Sequence, residues 1–460
     1  MRTREIVDVR LTWRAPRWVR VLLAVCRCAG WVGRMAWWWR FELAAAAVVL
    51  FVRGALASIV GLDVATLAVA GMGVWLLLWP RTRRSLVGRA WCAIVRRRLI
   101  ACLRETRTVT RRGGDLPVVV RSRPTVVGER ITLWCRIGQS AEQIGSRIAE
   151  MRSAAWCQEI RVTRDPRRAH LVYVEVIRHD TLARIVAALP VPESVDLTRV
   201  PVGRTELGVV WLLRLLGTHL LIAGVTGAGK GSVVWSLLRG IAPAIRSGQV
   251  QVWAVDPKGG MELRLGRRLF ARFAHREYAD MVELLEDAVA VMRDRAARLA
   301  GTVRLHTPTI DEPLILVLVD EVANLTAYLS DRDLRRRAES ALALLLTQGR
   351  AVGVSVVACL QDPRKEVLGL RNLFPTKVAL RLDEPSQVDM VLGDGARDRG
   401  ALADSIPDTS PGVGYTREDG STAVIRVRAG YLTDQDITAM AQHYAAPSNR
   451  PISTAGGEAA

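Results

Sequence analysis

The run Gly224, Val225, Thr226, Gly227, Ala228, Gly229, Lys230, Gly231 and Ser232 admits few backbone solutions. It follows the short apolar stretch from His219 to Ala223, which reads as a buried parallel strand. It precedes the stretch from Val233 to Ile241, whose apolar residues recur at helical spacing. Strand, glycine-rich turn and helix in that order is the context in which the pattern GxxxxGK forms a phosphate cradle. Glycines let successive backbone N–H groups converge on one anion. The helix N-terminus adds a positive dipole, and Lys230 reaches the outer phosphates.

One position departs from the pattern. The residue after the lysine ordinarily supplies a Ser or Thr hydroxyl to Mg²⁺, and here it is Gly231. Ser232 is one place late, and one residue turns a helix by about 100°. Either the first turn adjusts so that Ser232 reaches the metal, or water takes that ligand position.

Charge is unevenly distributed along the 460 residues, whose formal net charge is +20. Residues 1–112 hold 21 arginines against five acids, so the basic excess is an N-terminal property and the nucleotide-binding part is nearly balanced. Nucleic acid or anionic lipid are the partners such a balance suggests. Only four lysines occur (Lys230, Lys258, Lys365 and Lys377), so arginine abundance reflects coding bias, and lysines inside motifs carry more information. The seven cysteines are scattered. Cys26 and Cys28 form a CxC, but no zinc spacing occurs, and the thiols read as free in a reducing compartment.

No small-residue cleavage site follows the arginine-rich first 35 residues, so this is not a secretory signal. Residues 37–79 form a long apolar region with a turn signal at Gly61, Leu62 and Asp63. Tryptophans stand at both ends, and the 16 residues from Val64 to Trp79 carry no charge. Arg34 and Arg40 lie before it, and Arg81, Arg83, Arg84 and Arg89 after it. The positive-inside rule then predicts a two-helix membrane hairpin with both ends cytoplasmic, Arg53 lying near an interface or inside an oligomer.

Residues 1–112 are therefore taken as the basic, membrane-inserted region, its last part a juxtamembrane helix and connector. Residues 113–189 read as a small α+β subdomain of the β-β-α-β-β kind, 190–201 as a proline-punctuated linker, and 446–460 as a disordered tail. Between linker and tail, residues 202–445 alternate apolar strands with helices. That predicts a mainly parallel sheet between helices.

Three further apolar runs end in polar residues. The apolar run from Leu314 to Val319 ends in Asp320 and Glu321. The first carboxylate suits the Mg²⁺ shell and the second suits activation of water, which favours hydrolysis. The run from Val252 to Val255 ends in Asp256, followed by Lys258; chemistry and an ordinary surface turn are equally compatible with it. The run from Val354 to Leu360 ends in Gln361, a candidate γ-phosphate sensor. Arg350, eleven residues earlier, falls at the opposite strand end, as an arginine serving a neighbouring subunit requires.

Taken together, HLLIAGVTGAGKGS, VDPKGGMEL, LILVLVDEVANL and GRAVGVSVVACLQDP resemble the FtsK/SpoIIIE family of DNA-pumping ATPases over residues 115–440. The resemblance implies a RecA-like motor, ATP and Mg²⁺ as cofactors, and a homo-oligomeric, hexameric ring around double-stranded DNA. By position, Lys230 would bind phosphate, Asp320 the metal, Glu321 the attacking water and Gln361 the γ-phosphate, with Arg350 the finger supplied to the next subunit. The short anchor, the GAGKGS variant and the GC-rich composition look most like conjugative transfer proteins of actinobacterial plasmids and integrative elements. These would act at the plasma membrane, with the motor in the cytoplasm and other transfer proteins as possible partners. Arg332, Arg335, Arg336 and Arg337 are candidates for a DNA-facing loop, with a solvated helix face as the plain alternative. A chromosome-segregating pump, a protein-secretion motor and a nucleotide-binding scaffold with little turnover are the competing readings.

Overall fold

The computed structural model describes residues 40–108, 114–165, 167–364 and 369–447. The chain divides into two compact units, residues 1–91 and 92–460. The arginine-rich start, Trp37, Trp38 and Trp39, and the tail from 448 lie outside the described residues.

In the first unit, α1 (Arg40–Val60) and α2 (Leu62–Leu78) form the expected helical pair. They are separated by Gly61 at φ 86°, a left-handed value open to glycine. Arg53 Nε donates to Thr66 Oγ1 across the pair at 3.1 Å, so this arginine has a partner within its own hairpin. Among the described residues, no helix is long and apolar enough to cross a membrane. α2, with 17 residues, is at the lower limit of about 17–25 for a span.

The second unit begins within α3 (Pro80–Glu105). By its basic composition this segment is expected in the N-terminal region as a connector. Its later half instead belongs to the small subdomain, because Cys92, Val95, Leu99 and Leu103 recur at helical spacing and are buried. Leu99 and Leu103 share a small apolar cavity with Ile131, Leu133 and Val174 of the neighbouring sheet.

That sheet is antiparallel, ordered β1 (Val118–Pro124), β2 (Gly128–Trp134), β4 (Leu171–Ile177) and β3 (Glu159–Arg164). Alternate residues of β2 and β4 point inward, with Ile131 opposite Val174 and Leu133 opposite Val172. The expected single helix is two short ones, α4 (Ala141–Gly145), capped by the Ser140 hydroxyl, and α5 (Ile148–Ala155).

The stretch taken for a linker is packed structure. A two-residue strand, β5 (Val186–Ala187), pairs with β15 (Ile425–Tyr431), and β6 (Val200–Thr205) begins inside the expected linker. Leu197 and Val200 are buried in the core of the large sheet. The prolines stiffen this lead-in, and the apolar residues between them dock it.

The large sheet has eleven strands and is mixed. Six run parallel in the order β10 (Phe270–Ala274), β9 (Val250–Val255), β11 (Leu314–Val319), β12 (Val354–Leu360), β8 (Leu220–Ala223) and β13 (Thr376–Ala379). Beyond β13 the order continues antiparallel through β14 (Val413–Arg417), β15, β6 and β7 (Val210–Leu213). β11 and β12 are buried along their whole length, which is why their sequences read as continuous apolar runs. One face is covered by α6 (Lys230–Ser247) and the other by α7 (Tyr278–Leu299) and α8 (Arg332–Gln348). His219, at the start of β8, is buried and accepts the Val356 N–H through Nδ1; burial lowers its pKa to about 4, so it is a neutral framework residue.

Candidate active site

The loop between β8 and α6 is built by backbone geometry that excludes most side chains. Gly227 and Gly229 have φ of 75° and 94°. A Cβ on Gly229 would lie 2.2 Å from the Gly412 nitrogen, because Gly412 N–H donates to Ala228 O at 2.8 Å and the two loops touch. Two more backbone bonds frame the loop, from Gly224 N to Leu360 O and from Val225 N to Arg381 O, each 3.0 Å. Ser232 N–H donates to Gly229 O at 3.1 Å, and the N–H groups of Lys230 and Gly231, which open α6, have no acceptor within the helix and suit an anion. Lys230 Nζ folds over the loop, donating to Gly224 O at 2.7 Å and Val225 O at 3.3 Å. Burial lowers its pKa.

The parallel order brings the expected strand ends to the same edge, because every strand from β10 to β13 presents its C-terminus there. Asp320 and Glu321 follow β11, Gln361 follows β12, and the loop follows β8 with β13 on its other side. Asp320 Oδ2 accepts from Lys258 Nζ at 2.9 Å. Asp256, fully buried, accepts the backbone N–H groups of Lys258 at 3.0 Å and of Glu262 and Leu263 at 3.1 Å. It therefore holds the whole turn that carries Lys258. Burial acts against the charge on Lys258, but the Asp320 carboxylate outweighs it and raises the pKa. Burial raises that of Asp320 despite the lysine.

Glu321 is 3 % exposed, and burial raises its pKa against the pull of Lys258 and Lys230. One carboxylate oxygen accepts the Gln361 N–H at 3.4 Å. The other is buried with no hydrogen-bond partner among the described residues. A buried acceptor left unmatched at this strand edge is what a site for a bound, polarised water or cation shell would contain. Gln361 links this carboxylate to the loop, its side-chain oxygen accepting from Thr226 Oγ1 at 3.2 Å.

Arg350 lies at the other end of β12, exposed, with Asp419 Oδ2 at 3.4 Å. It is therefore not brought to the glycine-rich loop of its own chain. Of the four arginines on α8, Arg337 is bonded to Glu286 of α7 at 2.6 Å and Arg336 to Asp333 at 2.6 Å; the set is spread around the helix. Ser232 faces Gly412, where an added Cβ would meet its own at 3.7 Å.

Two residues escaped sequence reading. Arg381 follows β13 and donates to Thr226 O at 3.2 Å while pairing with Asp408 at 2.5 Å, so it ties the loop tip to the segment before Gly412. Its signal was the same as for Gln361, a polar residue closing a short apolar run. Glu262 stands six residues after Asp256, in an irregular turn that no periodicity marks. Among the described residues no cluster of three or more metal-ligating side chains of His, Cys, Asp and Glu is preassembled.

A family model described as FtsK/SpoIIIE family matches residues 189–306. The transfer protein TraSA of Streptomyces ambofaciens is 28 % identical over 340 residues, covering 69 % of this chain and 79 % of that protein. The DNA translocase FtsK of Lactococcus lactis subsp. cremoris is 26 % identical over 266 residues, covering 53 % of this chain; the match spans 33 % of that longer protein. Among solved structures, the pCW3 conjugation coupling protein TcpA, in a monomer form with ATPgS, aligns with a TM-score of 0.49 and 20 % identity. That alignment covers 76 % of this chain and 99 % of TcpA.

Proposed function

The chain carries an FtsK/SpoIIIE family domain, and from that premise we propose that it is a membrane-anchored, ATP-driven translocase of double-stranded DNA, serving conjugative transfer of a plasmid or integrative element between cells. The observation that carries the reading is the meeting of Lys230, Asp320, Glu321 and Gln361 at one edge of the parallel sheet, with Arg350 at the opposite edge. The similarity to TraSA favours conjugative transfer over chromosome segregation.

In this reading Lys230 leaves the loop carbonyls for the outer phosphates. Glu321, held by Gln361, orients and deprotonates the attacking water; a carboxyl raised by burial is a better base than a solvated one. Mg²⁺ would neutralise charge developing between the outer phosphates, with Asp320 in its shell once Lys258 swings aside. Arg350 would be given to the neighbouring subunit of a ring, hexameric by analogy with the family, and its exposure suits that task. The apolar helical pair, with Phe51, Ile59 and Leu67 exposed, is proposed to associate with the membrane, leaving the motor in the cytoplasm.

The test is ATP hydrolysis by the full-length protein with and without linear duplex DNA. Turnover should rise with DNA and vanish in Lys230→Ala and Glu321→Gln. Turnover indifferent to duplex points to a secretion motor, and none at all in the unaltered protein points to a scaffold.

A further inference from the structure

Position 231, which ordinarily offers a hydroxyl to the metal, is a glycine, and the structure places another residue's oxygen beside it. A Cβ built on Gly231 would lie 3.7 Å from Glu262 Oε2 and 3.9 Å from Trp235 Cδ1, both ordinary contact distances. The Glu262 carboxylate therefore faces the first turn of α6 on the side that a residue-231 hydroxyl would occupy.

Ser232 is not in that position. It faces Gly412, at the start of β14, two strands from β8 on the β13 side. Asp320 and Glu262 come from the other side of β8, after β11 and after β9. Glu262 is also close enough to Lys258 to act on its charge. The backbone of Glu262 is anchored, its N–H bonded at 3.1 Å to the buried Asp256 carboxylate. The unmatched, buried Glu321 oxygen at this edge independently marks it as a place built to receive a ligand.

We propose that Glu262 replaces the missing hydroxyl as this chain's contact to the divalent cation that accompanies the nucleotide, with Asp320 the other carboxylate at this edge that would hold it. The proposal rests on the nucleotide-motor reading. A carboxylate is a natural oxygen ligand for Mg²⁺. Without the cation, the same negative charge faces the outer phosphates and opposes them. Glu262 thus makes nucleotide affinity depend more steeply on metal than a neutral hydroxyl would.

The experiment titrates a fluorescent, non-hydrolysable ATP analogue into the full-length protein, in EDTA and across a range of Mg²⁺. Glu262→Gln should need at least about 10-fold more Mg²⁺ for half-maximal nucleotide affinity, the scale on which altered metal surroundings act. In EDTA the same variant should bind as tightly as the unaltered protein or more tightly. Gly231→Thr added to Glu262→Gln should restore the Mg²⁺ requirement, since a side chain fits at 231. Manganese bound with the analogue gives a second readout, its electron paramagnetic resonance line shape changing in Glu262→Gln and reverting in the double variant. An unchanged Mg²⁺ titration in Glu262→Gln overturns the proposal. So does an equal loss of affinity with and without metal, which would mark a merely structural glutamate. Failure of the unaltered protein to bind the analogue under either condition overturns the nucleotide reading itself.

Discussion

Replacing Lys258 by methionine isolates the electrostatics of this edge. Lys258 Nζ lies 2.9 Å from Asp320 Oδ2, with side-chain exposures of 29 % and 8 %. Deleting one partner of a fully buried pair costs about 3–5 kcal/mol, and the partial exposure of Lys258 lowers the expectation to about 2 kcal/mol. For a domain of this size that is a fall of about 4–8 °C in Tm. The sign with pH follows from Asp320. Its folded pKa is already raised by burial, and losing Lys258 raises it further. A raised carboxyl leaves stability intact below its unfolded pKa and erodes it as pH rises through the folded value. The Lys258→Met defect is therefore largest at neutral pH and closes as pH falls into the ordinary carboxylate range. Mg²⁺ with a non-hydrolysable nucleotide should also close it, because the cation takes over neutralisation of Asp320. Thermal melts of the two proteins across pH, with and without Mg²⁺-nucleotide, measure all of this. A gap that stays constant with pH, or ignores the ligand, refutes the reasoning.

Gly229→Ala should cost at least about 3 kcal/mol and abolish nucleotide binding, since its φ of 94° and the Gly412 nitrogen at 2.2 Å leave no room for a Cβ. Gly231→Ala, two residues on in ordinary helical backbone, should change stability by less than about 1 kcal/mol; differential scanning fluorimetry separates the two. Arg350→Ala and Glu321→Gln should each be inactive alone, and mixing the two should restore part of the DNA-dependent turnover. No rescue in verified mixed assemblies would remove Arg350 from the finger role.

Much of the candidate site was legible in the chain because its signals are local. A glycine-rich turn between an apolar strand and a helix, and apolar runs of six or seven residues closed by Asp320, Glu321 or Gln361, follow from backbone sterics and from strands buried on both faces. The end of α3 was misassigned because an amphipathic basic helix reads alike whether it leads to a membrane or covers a sheet. Leu99 and Leu103 lie beside Ile131, Leu133 and Val174 only once β2 and β4 exist. The linker was misread for a similar reason, since prolines mark a stiff segment without saying what it leans on.

By itself, then, the sequence determined the glycine-rich loop, the strands that flank it and the acids that end one of them. Each depends on neighbours within a few residues. Tertiary structure decided which charges meet. Lys258 reaches Asp320 across 62 residues, Arg381 holds Thr226 across 155, and Glu262 stands beside Gly231. Strand order sets these pairings, and strand order is fixed by how the whole sheet buries its two faces, a property that no single stretch of chain contains.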